Sequence, residues 1–262
     1  MTPAAYFDKL AAGYDEAWTN SPAGRAQRNA VWRVVDPFVR EGARILDYGC
    51  GTGEDARHFT QLGAVVDIFE PSPAMLSSAL RKAPCSAGWQ PAADWQSASS
   101  KGLGHHKQAA YQPAAGCQPA LHNIPYDLVL SNFGALNCVE DIAALALEAL
   151  IRPGGLLAIC IMGRFCLWES IYYFLQGNPA KAKRRWRGQA QTSTGMAVYY
   201  PSMRELRFPG MRLIKDVGIG ITVPPSYVKG IPVRHLDAID KCIAKLGRAV
   251  GDHRLLLYVK SK

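Results

Sequence analysis

The stretch Arg44–Ala56, RILDYGCGTGEDA, narrows the architecture of this chain more than any other. An apolar pair, Ile45 and Leu46, stops at an acid, Asp47, and glycines follow at 49, 51 and 53 before a polar, helix-prone run begins. Glycine lets the backbone turn sharply and lets a ligand come close, while the first turn of the following helix offers free N–H groups. Such a strand–loop–helix unit is a nucleotide-type site. The next apolar run, Val65–Phe69, also ends in an acid, Glu70, 21 residues after Gly49. That is where a carboxylate can hold both hydroxyls of a ribose. A tight turn without a ligand is the alternative, and the joint spacing of two acids and three glycines argues against it. No Gly-Lys-Ser/Thr follows, so the loop is not a P-loop.

From Ala43 onward short apolar runs alternate with helical patterns, which predicts an α/β fold, a parallel sheet with helices on its faces. Strands are expected at 44–48, 65–69, 127–131, 156–162, 212–223 and 254–259. Helices are expected at 54–62, 73–82, 142–150 and 236–250, with an earlier one at 21–39 capped by Ser21 and started by Pro22. The turn Arg152–Pro153–Gly154–Gly155 should close one helix and aim the chain into the next strand. Two segments break this rhythm. Residues 83–123 repeat Gln-Pro-Ala-Ala and contain few branched aliphatics, which reads as a low-complexity, mobile insertion. Residues 164–205 read as a helical cap beside the sheet. The expectation is a single domain: an N-terminal lid and helix (6–42), a core (43–163), the cap, and C-terminal strands and a helix (206–262).

Length and charge set wider limits. With 262 residues, 48% of them hydrophobic, the chain can bury one sizeable core. The formal charge of +9 favours anionic partners without specifying one. No apolar run is long enough for a membrane span, and the charged start MTPAAYFDKL does not resemble a secretory signal. Seven cysteines, an odd number without a C-x-x-C pair, read as reduced thiols in a cytoplasmic protein rather than a disulfide frame or a metal site.

The loop LDYGCGTG matches the D-x-G-x-G-x-G motif of class I S-adenosylmethionine-dependent methyltransferases, and the chain resembles their small-molecule branch. The resemblance continues through FEPSPAML (69–76), YDLVLSNFGALNCVED (126–141) and LIRPGGLLAICIMG (150–163), and YFDKLAAGYDEAW (6–18) is similar to that branch's cofactor lid. It implies a Rossmann-like, seven-stranded, mostly parallel sheet with helices on both faces, here with a helical cap insertion, S-adenosyl-L-methionine as cofactor and S-adenosyl-L-homocysteine as product. Carried over by position, Gly49, Gly51 and Gly53 would pack on the methionine part, and Asp47 would organise the loop and receive the amino group. Glu70 would bind the ribose with Pro71 beside it, and Asn132 and Phe133 would lie near the reactive methyl. The resemblance places an acid after the third strand beside adenine. Here the insertion replaces any obvious third strand, and Asp94 is the weak candidate.

Methyl transfer needs a base only when the acceptor must lose a proton. His58, His235, His253 and Tyr14 are candidates, none marked by spacing, so no catalytic residue is assigned. The helically spaced Phe165, Trp168, Tyr172 and Leu175 are either core packing or a lining for a flat apolar acceptor. The run KAKRRWRG (181–188) is either a solvated basic face or a phosphate-binding patch with a stacking Trp. The expected activity is methyl transfer to a small, apolar or aromatic acceptor. A nucleic-acid methyltransferase and a non-catalytic binder of the same cofactor are the alternatives.

Overall fold

The computed structural model describes residues 1–82, 89–91, 125–228 and 233–262. Its centre is a seven-stranded sheet in the order β3-β2-β1-β4-β5-β9-β8. The strands are β1 (Arg44–Tyr48), β2 (Val65–Phe69), β3 (Trp89–Pro91), β4 (Tyr126–Ser131), β5 (Ile151–Ile161), β8 (Met211–Ile219) and β9 (His253–Lys260). The pairs among β1–β5 are parallel, and β9 runs antiparallel to both β5 and β8. Helix α1 (Pro3–Tyr14) leads through a π-helical turn (Asp15–Thr19) into α2 (Pro22–Val35), and α3 (Glu54–Gln61) and α4 (Pro73–Lys82) follow β1 and β2. Ser21 caps α2 by accepting the Gly24 N–H at 3.0 Å, with Pro22 at the first helical position as expected.

Alternation along the strands divides the core. Ile45, Val66, Ile68, Leu255 and Leu257 pack under Val31, Val35 and Phe59 on one face. Leu46, Tyr48, Phe69, Leu256 and Tyr258 pack with Leu136, Leu147 and Phe208 on the other. Side chains two apart share a face of a strand, so one run serves two layers.

Several expectations need correction. A third strand exists inside the segment read as an insertion: β3 pairs with β2 from Val66↔Trp89 to Ile68↔Pro91. Its three residues and its proline suit a sheet edge, where a missing ladder donor costs little. The rest of that segment, with Asp94, lies outside the described residues. The expected helix at 142–150 is two 3-10 turns, Ala143–Leu145 and Leu147–Leu150, broken where Ala146 takes a positive φ of 47°. Both Ile142 and Leu147 are buried in the same core, and residues five apart do not share a helical face, so burial overrides helix propensity. The Arg-Pro-Gly-Gly turn lies within β5 as a bulge, exposed at Arg152–Gly154 and buried at Gly155: the register against β4 jumps from Tyr126↔Ile151 to Leu128↔Leu156. The last helix, α7 (Val233–Ile243), stops short of 250. There Gly247 lies so close to Ile221 that an added Cβ would come within 2.5 Å of its Cδ1.

The cap is only partly helical. It contains α5 (Leu167–Leu175), the short α6 (Pro179–Ala182), a 3-10 turn (Arg184–Arg187) and a hairpin of β6 (Gln189–Gln191) and β7 (Ala197–Tyr199). The aromatic stripe belongs to none of the core clusters among the described residues, and of its members Leu175 alone lines a surface pocket, with Ile171, Phe174 and Trp186. Trp168 donates its indole N–H to the Thr222 carbonyl at 3.0 Å, Tyr172 packs on Tyr227, and Leu175 is 80% exposed. The buried side chain of α5 is a carboxylate, Glu169. It binds Arg184 and Arg185 from the basic run, and Arg185 also bonds Asp252. That run is therefore partly an internal brace rather than a solvated face.

Candidate functional site

The pocket lies at the carboxyl ends of β1, β2 and β4. Gly49 and Cys50 donate their N–H groups to the Phe69 carbonyl at 2.7 and 3.0 Å, folding the glycine loop over the end of β2. Gly49 has a φ of +77°, and a Cβ there would stand 2.4 Å from that of Ala135. Gly51 has a φ of +55°, and the space its side chain would take is open. Only glycine meets both conditions cheaply.

Glu70 ties the loop together. One carboxylate oxygen accepts the Gly51 N–H at 2.8 Å, the other the Ser72 N–H at 2.9 Å. Each oxygen keeps a lone pair for a further donor. Burial pushes this carboxyl up to about 7, against the pull of those two N–H groups, with the Asp8 carboxylate adding to the rise. Asp47 is buried under the loop, and neither of its oxygens has a hydrogen-bond partner among the described residues. Burial and the nearby Asp55 charge hold its carboxyl well above the usual range, with the Arg28 guanidinium offsetting part of this. The open space at Gly51 and the remaining lone pairs of Glu70, both at the pocket surface, suit a ligand that brings hydroxyl donors close to the loop backbone.

Six of the eight expected residues line the pocket: Gly49, Gly51, Glu70, Pro71, Asn132 and Phe133. Asp47 and Gly53 stand behind the wall. The sequence reading missed Arg28 and Asp55, which also line it. Their buried ion pair is joined by Trp32, whose indole N–H donates to Asp55 at 2.7 Å, and by the Asn132 amide at 3.1 Å. The Arg28 guanidinium lies 4.9 Å from the ring centres of both Trp18 and Phe133. In sequence Asp55 looks like an ordinary acid in a first helical turn, so nothing local marked it.

Phe133 has a φ of 49°, a left-handed backbone that is costly for an aromatic residue. The Asn132 side chain accepts its N–H at 3.0 Å, and its ring lies edge-on to Trp18 and His253. Strain at the end of β4 is thus held by its surroundings at the mouth of the pocket.

The segment expected as a lid, α1 with the π turn, contributes Pro3, Phe7 and Tyr14 to the pocket lining. It is latched twice. Asp8 accepts from the Ser72 hydroxyl at 2.5 Å and the Ala74 N–H at 3.0 Å. Asp15 accepts from the Thr52 hydroxyl at 2.6 Å and pairs with Lys82 at 2.7 Å. Of the candidate bases only Tyr14 reaches the pocket, and burial pushes its hydroxyl up to about 12. His58 stacks on Trp32 and bonds Asp36, His235 is exposed, and His253 lies buried behind Phe133. No group of three or more metal-ligating side chains occurs among the described residues.

A wider groove continues from this pocket, sharing Phe7, Tyr14, Phe133 and Cys138 with it. Tyr6, Leu10, Met162, Met196 and Val198 give it apolar walls between lid and hairpin, and Lys181, Arg184 and Arg187 edge it from the cap.

A strand-end acid and a glycine loop at the carboxyl ends of a parallel sheet, beneath α1, form a nucleotide-type pocket. The chain belongs to the methyltransferase-domain family, whose model matches residues 17–207, and its cofactor is S-adenosylmethionine. It is 29% identical over 188 residues to a demethylmenaquinone methyltransferase of Parafrankia sp. (strain EAN1pec), covering 69% of this chain and 72% of that one. It is 34% identical over 135 residues to a malonyl-[acyl-carrier protein] O-methyltransferase of Enterobacter lignolyticus, covering 50% of this chain and 43% of that one. In fold it is similar to an S-adenosylmethionine-dependent methyltransferase of Mesorhizobium loti, with a TM-score of 0.52 and 16% identity, covering 88% and 98% of the two chains. No helix among the described residues is long and apolar enough to cross a membrane.

Proposed function

We propose that the chain methylates a small, apolar or aromatic acceptor held in the groove between lid and cap. The observation that carries this reading is the groove's opening into the cofactor pocket at Phe7, Tyr14 and Phe133. S-adenosylmethionine supplies an electrophilic sulfonium methyl, which leaves alignment and water exclusion to the protein. Glu70 accepts the ribose hydroxyls, Gly49 and Gly51 leave room for the methionine part, and Asp47 supports the loop from below. Phe7 and Tyr14 cover the site. Tyr14 stays protonated at neutral pH, so it can donate a hydrogen bond but takes no proton. An acceptor that arrives ionised, or loses its proton to water, suits such a site. The names of the quinone-methylating and malonyl-methylating relatives are compatible with either kind.

Methyl transfer from labelled cofactor to a panel of quinols, phenols and carboxylic thioesters, with RNA and DNA alongside, tests this. Labelling confined to the small molecules is expected. Labelling confined to RNA or DNA would overturn the reading, and intact cofactor binding without any turnover would favour a non-catalytic binder. In Phe7→Ala the loss of cover should lower kcat/KM at least tenfold, because water enters and alignment loosens.

Glu70 also gives the site a pH dependence. Its raised pKa favours the neutral form in the folded, ligand-free protein, so its contribution to stability is present below its ordinary value and lost as pH rises toward about 7. Ribose hydroxyls donate to the ionised form, so binding lowers that pKa and releases a proton. Affinity for S-adenosylhomocysteine should rise up to tenfold between pH 6 and pH 7, approximate values set by that shift, and level off above. Calorimetry in buffers of different ionisation enthalpy reads the proton directly, and Glu70→Gln should remove the slope.

A further inference from the structure

The groove is unevenly charged. Its inner end is apolar, whereas its outer edge carries Lys181, Arg184 and Arg187, and no Asp or Glu stands among the described residues that line it. Arg184 is engaged, donating from Nε and Nη2 to the two oxygens of Glu169 at 2.8 and 3.0 Å. Behind it Arg185 is matched by Glu169 and Asp252, so this inner cluster of two arginines and two carboxylates balances. Lys181 and Arg187 are left over. Both are exposed, and no ion pair links either to a carboxylate among the described residues. The Lys181 ammonium lies 4.3 Å from the ring centre of Tyr173, which adds an aromatic face beside it. Neutral polar side chains (Gln189, Gln191, Thr192, Ser193) also line the groove, but none of them balances charge, so two surplus cations at its rim leave a local field that an anion would relieve.

We infer that the acceptor carries an anionic group remote from its reacting atom, a carboxylate, sulfonate or phosphate, held by Lys181 and Arg187. Its apolar body lies along Tyr6, Phe7, Met162 and Met196. This rests on the reading of the groove as the acceptor site. The geometry favours a small amphiphilic anion over a polymer, because the cations edge a walled groove and Arg185, the central charge of the basic run, is buried. Charge-assisted hydrogen bonds from Arg and Lys to such a group are the strong kind.

The test uses two fluorophores of one shape, 8-anilinonaphthalene-1-sulfonate and N-phenyl-1-naphthylamine, which differ only by the sulfonate. With the protein saturated by S-adenosylhomocysteine, the sulfonate should bind roughly tenfold tighter than the neutral probe, and the preference should shrink with added salt. In the double variant Lys181→Gln/Arg187→Gln the sulfonate should lose that roughly tenfold advantage, with the neutral probe and S-adenosylhomocysteine changed less than about twofold. Both positions are exposed, so the fold should survive, as an unchanged unfolding transition would show. Undiminished sulfonate affinity in the double variant overturns the inference, as does displacement of the sulfonate by a ten-nucleotide RNA at equal concentration. Ala190→Trp, which fills the groove, separates the two levels. Loss of both probes there supports the groove as the binding site, whereas survival of neutral-probe binding would overturn the acceptor-site reading itself.

Discussion

Glu70→Ala should bind S-adenosylhomocysteine at least tenfold more weakly than the parent protein. Two ribose hydroxyls donating to a charged acceptor are worth about 1.5–3 kcal/mol each, and ~1.4 kcal/mol already corresponds to tenfold. The structure enlarges the expected loss, because the same carboxylate holds the Gly51 and Ser72 N–H groups. Removing it therefore frees the glycine loop as well as the ribose. Glu70→Asp should lose less, since the charge survives on a shorter arm. Gly51→Val should abolish binding for another reason: a β-branched residue resists a φ of +55°, and its side chain would enter the open space of the pocket. Calorimetry on variants with intact unfolding transitions decides the matter. Unchanged affinity in folded Glu70→Ala would mean that the strand-end acid is a local loop tether and not a ribose ligand.

Arg185→Met should be the most destabilising single change in the cap. The guanidinium is 3% exposed and donates to Glu169 and to both the side chain and the carbonyl of Asp252. Removing one partner of a buried pair leaves uncompensated charge, typically costing about 3–5 kcal/mol. For a chain of this size that lowers Tm on the order of 10 °C. The pH dependence gives a second check. Burial alone would raise Glu169 and Asp252, but Arg184 and Arg185 hold Glu169 below its ordinary value, and His253 and Arg185 do so for Asp252. Lowered carboxylates contribute stability above their ordinary pKa and lose it as pH falls, so the gap between parent and variant should narrow in acid. Arg187→Ala, exposed and outside this brace, should shift stability by no more than about 0.5 kcal/mol. Equal losses at 185 and 187 would show that the two arginines stand in the same environment and that the brace is not there.

The strands and the glycine loop were legible because their signals are local. β1 and β2 run over the residues expected from their apolar runs, and the acids that end them were visible in a window of a few residues. What these acids meet in the fold was not local: Glu70 accepts the Gly51 N–H from 19 residues earlier in the chain. Asp47 lies under the loop, and its neighbour Asp55, unremarkable in sequence, pairs across 27 residues with Arg28. Ala146 interrupts a run with good helix propensity because burying both Ile142 and Leu147 outweighs a few tenths of a kcal/mol per residue.

The sequence by itself determined β1, β2, the helices that follow them and the nucleotide-type loop, since these follow from period and turn chemistry acting over neighbouring residues, and its motifs carried the resemblance that implied the cofactor. Tertiary structure alone decided which cations are free and which are braces. In the run KAKRRWRG five positive charges look alike, yet Arg185 is buried against two carboxylates while Lys181 and Arg187 stand at the rim of a groove. The reason is physical: a charge's role depends on its distance to other charges and to water, and those distances are set by chain segments that the fold brings together from 67 residues away, as it does Arg185 and Asp252.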